Sequence, residues 1–361
     1  MPDSHSIMVG GQPIRTLRPP LGPTAGRPGF VSVDVAPGRG MLILQARLRL
    51  ANGAETNLFA SPPLDAIAGI LDGGPEDFAG SASFSLGGAI LLPYANRITG
   101  RPVEPRQIET EVAGRPVRLP RNWGGKAAGA AQYAMHGLLL AMAADSLEET
   151  SSPAGAALRG IFEAGDFSGC WPSRCQVEIE VAVAAHQLRL SVRARNTGTE
   201  PLPMGIGWHP YFALPSGRRS QARLQVPAAE RLEVDNYDEV LPTGRILDLA
   251  GTPYDFRAGA ELGERYLDDC FTGLQRGETG EIACRIEDPA GGYGVRIASA
   301  SPAVTAVQVY APPERACVAL EHQFNWPDPY GQEWRGRDTG MALLEPGEQT
   351  QFVVSVEPFQ I

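Results

Sequence analysis

The sequence of 361 residues predicts an all-β fold, built as an antiparallel sandwich or barrel. Its 42 glycines and 32 prolines interrupt short apolar runs along the whole chain, which favours strands and turns over long helices. Several of these runs alternate apolar and polar residues with the period of a strand. Regular helical segments do not separate the predicted strands, so an α/β sheet is not expected.

The N-terminal part of the chain differs in composition from the rest. Residues 19–29, "PPLGPTAGRPG", are rich in proline and glycine, so residues 1–30 are predicted to be an arm or linker and residues 31–361 a single domain. The first fifteen residues show no signal peptide, and the longest apolar run, "GLLLAMAA", is too short to span a bilayer. We therefore expect a cytoplasmic protein, or a periplasmic one if a signal peptide has been trimmed.

Alternation locates the clearest strands. Residues 42–50 place leucines on one face and end before the turn pair Asn52–Gly53, and residues 176–198 predict a hairpin that turns near His186. Further strands are predicted at Gly294–Ala298, Val304–Tyr310, Ala316–Glu321 and Gln351–Val356. The alanine-rich residues 126–146 could instead form a helix carrying His136, although Gly129 and Gly137 argue against it.

Charge and cysteine content exclude several classes of function. The chain has 31 basic and 41 acidic residues and a net charge of −10, so it lacks the basic stripe that binds nucleic acid or an anionic membrane. Its five cysteines are scattered and form no C-x-x-C pair. We expect all five to be reduced, with a bridge between Cys170 and Cys175 as the alternative.

The stretch "GIGWHPYF", residues 205–212, contains one of only five histidines. Strand periodicity places Ile206 and Trp208 on an apolar face, and Gly205, Gly207 and His209 on the other. Glycine within a strand often marks the close approach of a ligand or another backbone, and the following proline keeps His209 in extended chain. His209 is therefore either a ligand-facing residue or a core histidine in a tight bend. His5, near the terminus, and His186, at a hairpin tip, are set aside.

Two further residues could do acid–base chemistry. His136, in "YAMHGLL", is followed by a glycine that would leave room for a small molecule, although structural packing explains it equally well. Glu321, in "CVALEHQFNWPDPYG", ends a strand on whose face its neighbours Cys317 and Ala319 are small. Burial would raise the pKa of this carboxyl and nearby donors would lower it. The alternative is an ordinary solvated carboxylate.

Candidate ligand-holding groups occur in two other segments. Arg97, in "YANRITG", could be a two-pronged donor to ligand hydroxyls or a surface charge. Asp268 and Asp269, in "YLDDCFTG", add paired carboxylates next to an aromatic residue.

Taken together and in this order, "NRITG", the His136–Gly137 pair, "GWHPYF", "DDCF" and "LEHQFNWPD" resemble the aldose 1-epimerase (galactose mutarotase-like) family. The resemblance extends from about residue 96 to residue 328. It implies a single large antiparallel β-sandwich, the galactose mutarotase-like supersandwich, with a sugar cleft on one concave sheet. The motif D-x-x-F selects Asp268 over Asp269, whereas the residues after His136 and the extra His322 depart from the family pattern and leave substrate preference open.

The resemblance also implies a role for each matching residue. Glu321 would be the general base at the C1 hydroxyl, His209 the general acid at the ring oxygen, and His136 an assisting hydrogen-bonding group. The sugar hydroxyls would be held by Arg97, Asn96 and Asp268, with Gln323 in support.

Interconverting the anomers of a free aldose requires opening and reclosing the ring, which a carboxylate and an imidazole can do without a metal or cofactor. The expected partner is a small-molecule sugar, and the chain is expected to be a monomer or homodimer. We expect a nearby carboxylate, such as Glu321, to keep His209 partly protonated. The glycine face beside His209 would let a flat ring lie against the strand, and Tyr211, Phe212 or Trp326 could stack on the sugar.

Other readings stay open at this point. His136, His209, Glu321 and an aspartate could bind a metal, although the chain lacks the H-x-H or H-E-x-x-H spacing of such sites. Glu321 and Asp268 could be the paired carboxylates of a glycoside hydrolase, about 5 to 10 Å apart. The same fold could also be a non-catalytic carbohydrate-binding protein or a phosphosugar 1-epimerase, the latter requiring extra basic residues.

Overall fold

A computed structural model describes residues 7–361 of the chain, and residues 1–6, which include His5, lie outside the described part. Strands dominate its secondary structure. In chain order they are β1 (Met8–Val9), β2 (Gln12–Pro13), β3 (Arg15–Leu17), β4 (Gly29–Ala36), β5 (Leu42–Arg49), β6 (Glu55–Asn57), β7 (Gly88–Leu91), β8 (Arg97–Ile98), β9 (Arg101–Val103), β10 (Gln107–Val112), β11 (Arg115–Pro120), β12 (Trp123–Gly124), β13 (Gln132–Met135), β14 (Ser146–Ser152), β15 (Gly155–Gly165), β16 (Cys175–Ala184), β17 (Gln187–Asn196), β18 (Leu202–Met204), β19 (Gly207–Ala213), β20 (Arg223–Gln225), β21 (Ala228–Val234), β22 (Pro242–Asp248), β23 (Ala260–Glu261), β24 (Leu267–Leu274), β25 (Ile282–Asp288), β26 (Tyr293–Ser299), β27 (Ala306–Ala311), β28 (Cys317–Gln323), β29 (Ala342–Leu344) and β30 (Gln349–Gln360).

Helical structure is confined to short segments. The α-helix α1 comprises Leu64–Ile70, and 3₁₀ segments occupy Pro37–Arg39, Pro75–Ser85, Arg219–Gln221, Pro289–Gly291 and Gln332–Trp334. No helix within residues 7–361 is long and apolar enough to cross a membrane.

Two large antiparallel sheets form the body of the molecule. One has eleven strands, in the order β22-β21-β24-β27-β28-β19-β7-β5-β4-β3, with β6 paired to β5. The other has nine strands, in the order β14-β15-β16-β17-β30-β26-β25-β20-β23. The predicted all-β, antiparallel sandwich is confirmed.

The core lies between the two sheets because each contributes one alternating apolar face. In β16, Val177 and Ile179 are fully buried in this core, and on the opposite sheet Val318 and Leu320 of β28 join the same cluster. Burying such aliphatic side chains is the main contribution to the stability of the sandwich. The residues that alternate with them on β28 lie on the outer face of the eleven-stranded sheet, where Cys317 and Ala319 pack with Tyr211.

That outer face is itself partly covered. A second apolar cluster contains Ile67 of α1, Phe84 of the 3₁₀ segment, Tyr133 and Met135 of β13, and Leu42 of β5. Because these side chains are packed over the sheet, groups on its outer face near β19 and β28 are shielded from solvent although they do not belong to the inter-sheet core. The covering segments and the outer face of the sheet thus enclose a space that can hold a functional site.

The predicted strands are confirmed at residues 42–49, at the 175–196 hairpin and at the four later positions. The helix suggested for residues 126–146 is wrong: residues 132–135 form β13. Asn122 holds this strand extended, because its side chain both donates to the Met135 carbonyl and accepts from the Met135 amide, at 3.1 and 2.7 Å.

Within the N-terminal segment, Arg15–Leu17 pairs with β4 at the edge of the eleven-stranded sheet. Residues 18–28 contain no strand. All five cysteines are free, including Cys170 and Cys175.

Candidate active site

A cavity of about 270 Å³ opens on the outer face of the eleven-stranded sheet. Three of its buried polar residues are His136, His209 and Glu321, which are 4%, 5% and 1% exposed. Asn96, Arg97, Asp268 and Gln308 line the cavity beside them. The structure therefore brings together six of the seven residues that the sequence analysis selected.

His209 and Glu321 form a buried pair at the floor of this cavity. The imidazole Nε2 of His209 lies 3.2 Å from Oε1 of Glu321. The pairing of β19 with β28 explains the contact: Gly207 is opposite Gln323 and Tyr211 opposite Ala319, so His209 falls opposite Glu321. Two residues more than a hundred positions apart are thus fixed by the register of one strand pair.

His136 completes the floor from a different segment. Its backbone has a positive φ of 62°, and its amide donates to the Asn96 carbonyl at 2.7 Å. The ring lies edge-on to both His209 and Phe84, with centroid distances of 4.9 Å in each case. The tight turn that continues through Gly137 aims the imidazole at the His209–Glu321 pair.

Burial shifts the pKa of each member of this pair in the direction that favours its neutral form. It raises the pKa of Glu321 well above its ordinary value, with a further rise from Asp268 and an opposing effect of Arg97. Burial also lowers the pKa of His209 to about 4, and Arg315 acts in the same direction. The expectation that Glu321 keeps His209 partly protonated is therefore wrong for the protein alone, because desolvation dominates.

A chain of amide and carboxyl groups forms the cavity wall. The Asn96 side chain donates to Oε1 of Gln308 at 3.1 Å, and Gln308 donates through Nε2 to Asp268 at 2.7 Å. Burial raises the pKa of Asp268 to about 6, against the opposing effect of Arg97. The guanidinium of Arg97 donates to the Val240 carbonyl, which holds it against the wall.

Gln308 is a site residue that the sequence analysis missed. It lies on β27 directly opposite Glu321, and its neighbours Val307 and Val309 belong to the inter-sheet core. A single buried amide between two core valines was the available signal, since a polar side chain on an otherwise apolar strand needs a polar environment.

The segment after Glu321 holds the wall in place. Asn325 accepts from the Ala95 amide and donates to the Ala95 carbonyl, both at 2.9 Å. Asp328 accepts from the Thr99 amide at 3.0 Å and from the Thr99 hydroxyl at 2.6 Å, while its own amide donates to the Arg97 carbonyl. These contacts, which we call the Asn325–Asp328 clamp, fix the backbone on both sides of Asn96 and Arg97.

The glycines before His209 do not face the cavity, contrary to the sequence-based expectation. A Cβ at Gly205 would lie 2.0 Å from Oδ1 of Asn325, and one at Gly207 would lie 3.0 Å from the Ala95 side chain. The close approach that these glycines permit is therefore between parts of the protein itself. They allow the clamp to form.

Other predicted residues lie away from the cavity. Gln323 is not among the lining residues, and its side-chain nitrogen donates to the Asn325 carbonyl at 2.8 Å. Of the aromatic residues proposed to stack on a sugar, only Tyr211 lines the cavity; Phe212 is buried in the inter-sheet core, and Trp326 packs on Trp334. Asp268 lines the cavity.

Asp269 and His322 directly follow the cavity residues Asp268 and Glu321 in sequence. Neither lines the cavity, and both contact other parts of the fold. Asp269 is fully buried, 2.5 Å from the guanidinium of Arg231, and accepts from the Tyr237 hydroxyl at 3.1 Å. The ring of His322 lies on the core side of β28, with Nε2 at 3.2 Å from the Ile282 carbonyl.

Several buried polar atoms at the cavity have no hydrogen-bond partner within residues 7–361. Because such atoms are costly to leave unsatisfied, their convergence indicates that the cavity can take a polar ligand. They are Nδ1 of His136, Nδ1 of His209, Oε2 of Glu321, Oδ1 of Asn96 and Nε of Arg97. Donor atoms of His136, His209 and Glu321 lie within 4.8 Å of one another, so these three residues could also hold a divalent cation, which sequence spacing did not indicate.

Comparison with known proteins finds a family model that matches most of the chain. A family model described as aldose 1-epimerase matches residues 66–357. The uncharacterized protein YphB of Escherichia coli (strain K12) is 31% identical over 121 residues, 34% of this chain and 37% of YphB. Aldose 1-epimerase of the same strain is 26% identical over 189 residues, 45% of this chain and 52% of that protein. The alignments therefore span between a third and about half of the length of these curated relatives.

Solved structures share the fold over nearly the whole chain. A galactose mutarotase-like protein from Clostridium acetobutylicum superposes with a TM-score of 0.71 at 16% identity and covers 94% of each chain. Galactose 1-epimerase from Lactobacillus acidophilus superposes with a TM-score of 0.68 at 18% identity, covering 97% of this chain and 96% of that one. At such low identity the likeness establishes the architecture.

Proposed function

The chain belongs to the aldose 1-epimerase family, and we propose that it interconverts the α and β anomers of a free aldose by general acid–base ring opening. The observation that carries the proposal is the buried contact of 3.2 Å between His209 and Glu321 at the floor of a polar cavity. In the proposed roles, Glu321 is the base at the C1 hydroxyl, His209 the acid at the ring oxygen, and His136 an assisting hydrogen-bonding group.

The closeness of the pair suits this reaction. The C1 hydroxyl oxygen and the ring oxygen are bonded to the same carbon, so an acid and a base that serve both oxygens must themselves be neighbours. A hydrolase that places its nucleophilic water or carboxylate across the glycosidic bond needs carboxyl groups about 5 to 10 Å apart. A carboxylate and an imidazole in contact favour proton transfer at the two oxygens that share C1.

The proton balance of the reaction suits a pair made of one acid and one base. In ring opening, Glu321 takes the proton from O1 as His209 gives one to O5; after rotation about the C1–C2 bond, ring closure returns both protons. Each direction moves one proton onto one group and one off the other, so the pair keeps its total. Sugar hydroxyls that hydrogen-bond to the free Oε2 of Glu321 would favour its carboxylate form and the protonation of His209.

The wall supplies the groups that would orient the sugar. Arg97, Asn96 and Asp268 present donors and acceptors beside the pair, and Gln308 links the last two. An orientation fixed by several hydrogen bonds is what positions O1 and O5 over the acid and the base. Gln323 would act only indirectly, through Asn325.

Polarimetry of freshly dissolved α-D-glucose and α-D-galactose tests the proposal. The protein should accelerate the change in optical rotation, and Glu321→Gln should lower kcat by about 10²–10⁴-fold, because an amide cannot accept the proton. Glu149→Gln, at an exposed position of β14, is the matched control and should retain full activity.

If the wild-type protein leaves the optical rotation of a panel of free aldoses changing at the uncatalysed rate, the proposed enzymatic activity is refuted. Binding without turnover in that panel would identify a carbohydrate-binding protein instead. Acceleration confined to hexose 6-phosphates would identify a phosphosugar 1-epimerase.

A further inference from the structure

The floor of the cavity brings together three side chains of the kinds that bind transition-metal ions. His136, His209 and Glu321 each offer one ligand atom, and these three atoms all lie within 4.8 Å of one another. We propose that the floor is an inhibitory zinc site, in which Zn²⁺ occupies the atoms that the proposed reaction uses and so competes with the sugar. The inference rests on the proposed function and adds a regulation of that same site.

The distance within the buried pair fits a shared ion. Zn²⁺ binds imidazole nitrogen and carboxylate oxygen at about 2.0–2.2 Å, so two ligand atoms of a tetrahedral zinc lie about 3.3–3.5 Å apart. Nε2 of His209 and Oε1 of Glu321 are 3.2 Å apart in the protein. These two atoms can therefore hold the ion with very little change in position.

His136 supplies the third ligand. The widest separation among the three ligand atoms is at most 4.8 Å, so it must shorten by up to about 1.5 Å to reach tetrahedral geometry. Rotation of the His136 ring about its broad second side-chain torsion can provide this shift. The backbone amide of His136 is held by the Asn96 carbonyl at 2.7 Å, so the movement is confined to the side chain.

Unpartnered polar atoms on the same three residues support a bound ion and also limit its affinity. Oε2 of Glu321 and Nδ1 of both histidines have no hydrogen-bond partner within residues 7–361, and such buried atoms call for a ligand, a water or an ion. Metal-bound histidines usually donate their second ring nitrogen to a carbonyl or carboxylate, which strengthens binding. Because Nδ1 of His209 lacks such a partner, we expect reversible, micromolar binding.

The ligand atoms, and not the charge of the cavity, select the ion. The cavity lining contains as many carboxyl groups as basic side chains; these are Asp238, Asp268 and Glu321, and Arg97, Lys126 and Arg315. It therefore does not attract cations in general. Two imidazole nitrogens favour Zn²⁺ over Mg²⁺ and Ca²⁺, which prefer oxygen ligands and higher coordination numbers. Water from the open side of the cavity can fill the fourth tetrahedral position.

Bound zinc would block both proposed proton transfers. The carboxylate lone pair of Glu321 that binds the ion cannot accept the proton of the C1 hydroxyl. His209 cannot carry a proton on Nε2 while that nitrogen binds the ion. Because zinc and sugar need the same atoms, each excludes the other.

Cobalt(II) is the probe for this site, because four-coordinate Co²⁺ absorbs visible light far more strongly than the six-coordinate aqueous ion. Titration of the full chain with CoCl₂ should produce the four-coordinate band, which ZnCl₂ should remove and MgCl₂ or CaCl₂ should not. Glu321→Gln and His209→Asn should each weaken Co²⁺ binding at least about 100-fold, because one of three ligands is lost. His186→Asn and Cys170→Ser, at partly exposed positions elsewhere, are the matched controls and should keep the band.

The zinc site is overturned if the wild type shows no four-coordinate band, if Glu321→Gln and His209→Asn both keep it, or if a control variant loses it. Circular dichroism identifies a variant that does not fold, and the other variant then decides. In polarimetry, Zn²⁺ should raise the apparent KM for the sugar without changing kcat, and EDTA should reverse this effect. A fall in kcat at constant KM would contradict competition. Absence of turnover on every sugar would reject the proposed function, whereas the cobalt spectra would still decide the metal site.

Discussion

The two faces of β28 contain neighbouring titratable residues with different surroundings. Glu321 faces the cavity and contacts His209, whereas His322 faces the core beside the Ile282 carbonyl. Burial lowers the pKa of His209 and of His322 alike, each to about 4. A shifted pKa therefore does not distinguish the histidine proposed to be catalytic from the structural one. What distinguishes them is access to a cavity and a partner that can exchange a proton.

The largest expected effect separates these two histidines. His209→Asn should lower kcat by about 10²–10⁴-fold, since an amide cannot donate the proton that the ring oxygen needs. His322→Asn should leave kcat within about twofold but lower the free energy of unfolding by about 1–3 kcal/mol through lost packing and hydrogen bonding. Polarimetry gives kcat, and urea denaturation gives stability.

The outcome that would contradict this comparison is a similar loss of kcat in both variants. It would mean that the core side of β28 takes part in the reaction. His186→Asn, at a partly exposed hairpin turn, serves as the control for replacing a histidine outside both environments.

A smaller effect, on KM, is expected from changes in the Asn325–Asp328 clamp, which supports the cavity wall from outside the cavity. Asp328→Ala removes both acceptors of Thr99 and loosens the strand that carries Arg97, so KM should rise about tenfold with a lesser change in kcat. Asp328→Asn keeps one acceptor and should recover part of the loss. If kcat fell as steeply as in His209→Asn, with KM unchanged, the clamp would not act through substrate binding.

The strands of the sandwich could be predicted because one alternating face must enter the core. Residues 42–49 and the 175–196 hairpin show this pattern without ambiguity. The segment at 126–146 could not be assigned in the same way, because its alanines favour a helix while the contacts of Asn122 with Met135 hold it extended. Tertiary hydrogen bonds outweigh local propensity there.

The contents of the site were predictable to a similar degree. The motifs around His136, His209 and Glu321 identified the floor, and strand register explains how the last two meet. The direction of the pKa shift of His209 depends on how far other segments cover the outer face, which no local pattern encodes. The packing partners of Gly205 and Gly207 could not be predicted from the sequence either, because these glycines contact the wall of the cavity and not its interior.

The smallest expected effect is a change of KM with pH, which arises at Asp268 in the cavity wall and not at the floor. Burial raises the pKa of Asp268 to about 6, so its carboxyl becomes protonated as pH falls through that value and accepts sugar hydroxyls less strongly. KM should therefore rise a few-fold between pH 7.5 and pH 5, and in Asp268→Asn it should be higher at pH 7.5 and nearly independent of pH. A wild-type KM that stays constant while kcat changes would show that the titration lies in the His209–Glu321 pair alone. The wall and the floor of the cavity can thus be told apart by which kinetic constant responds to pH.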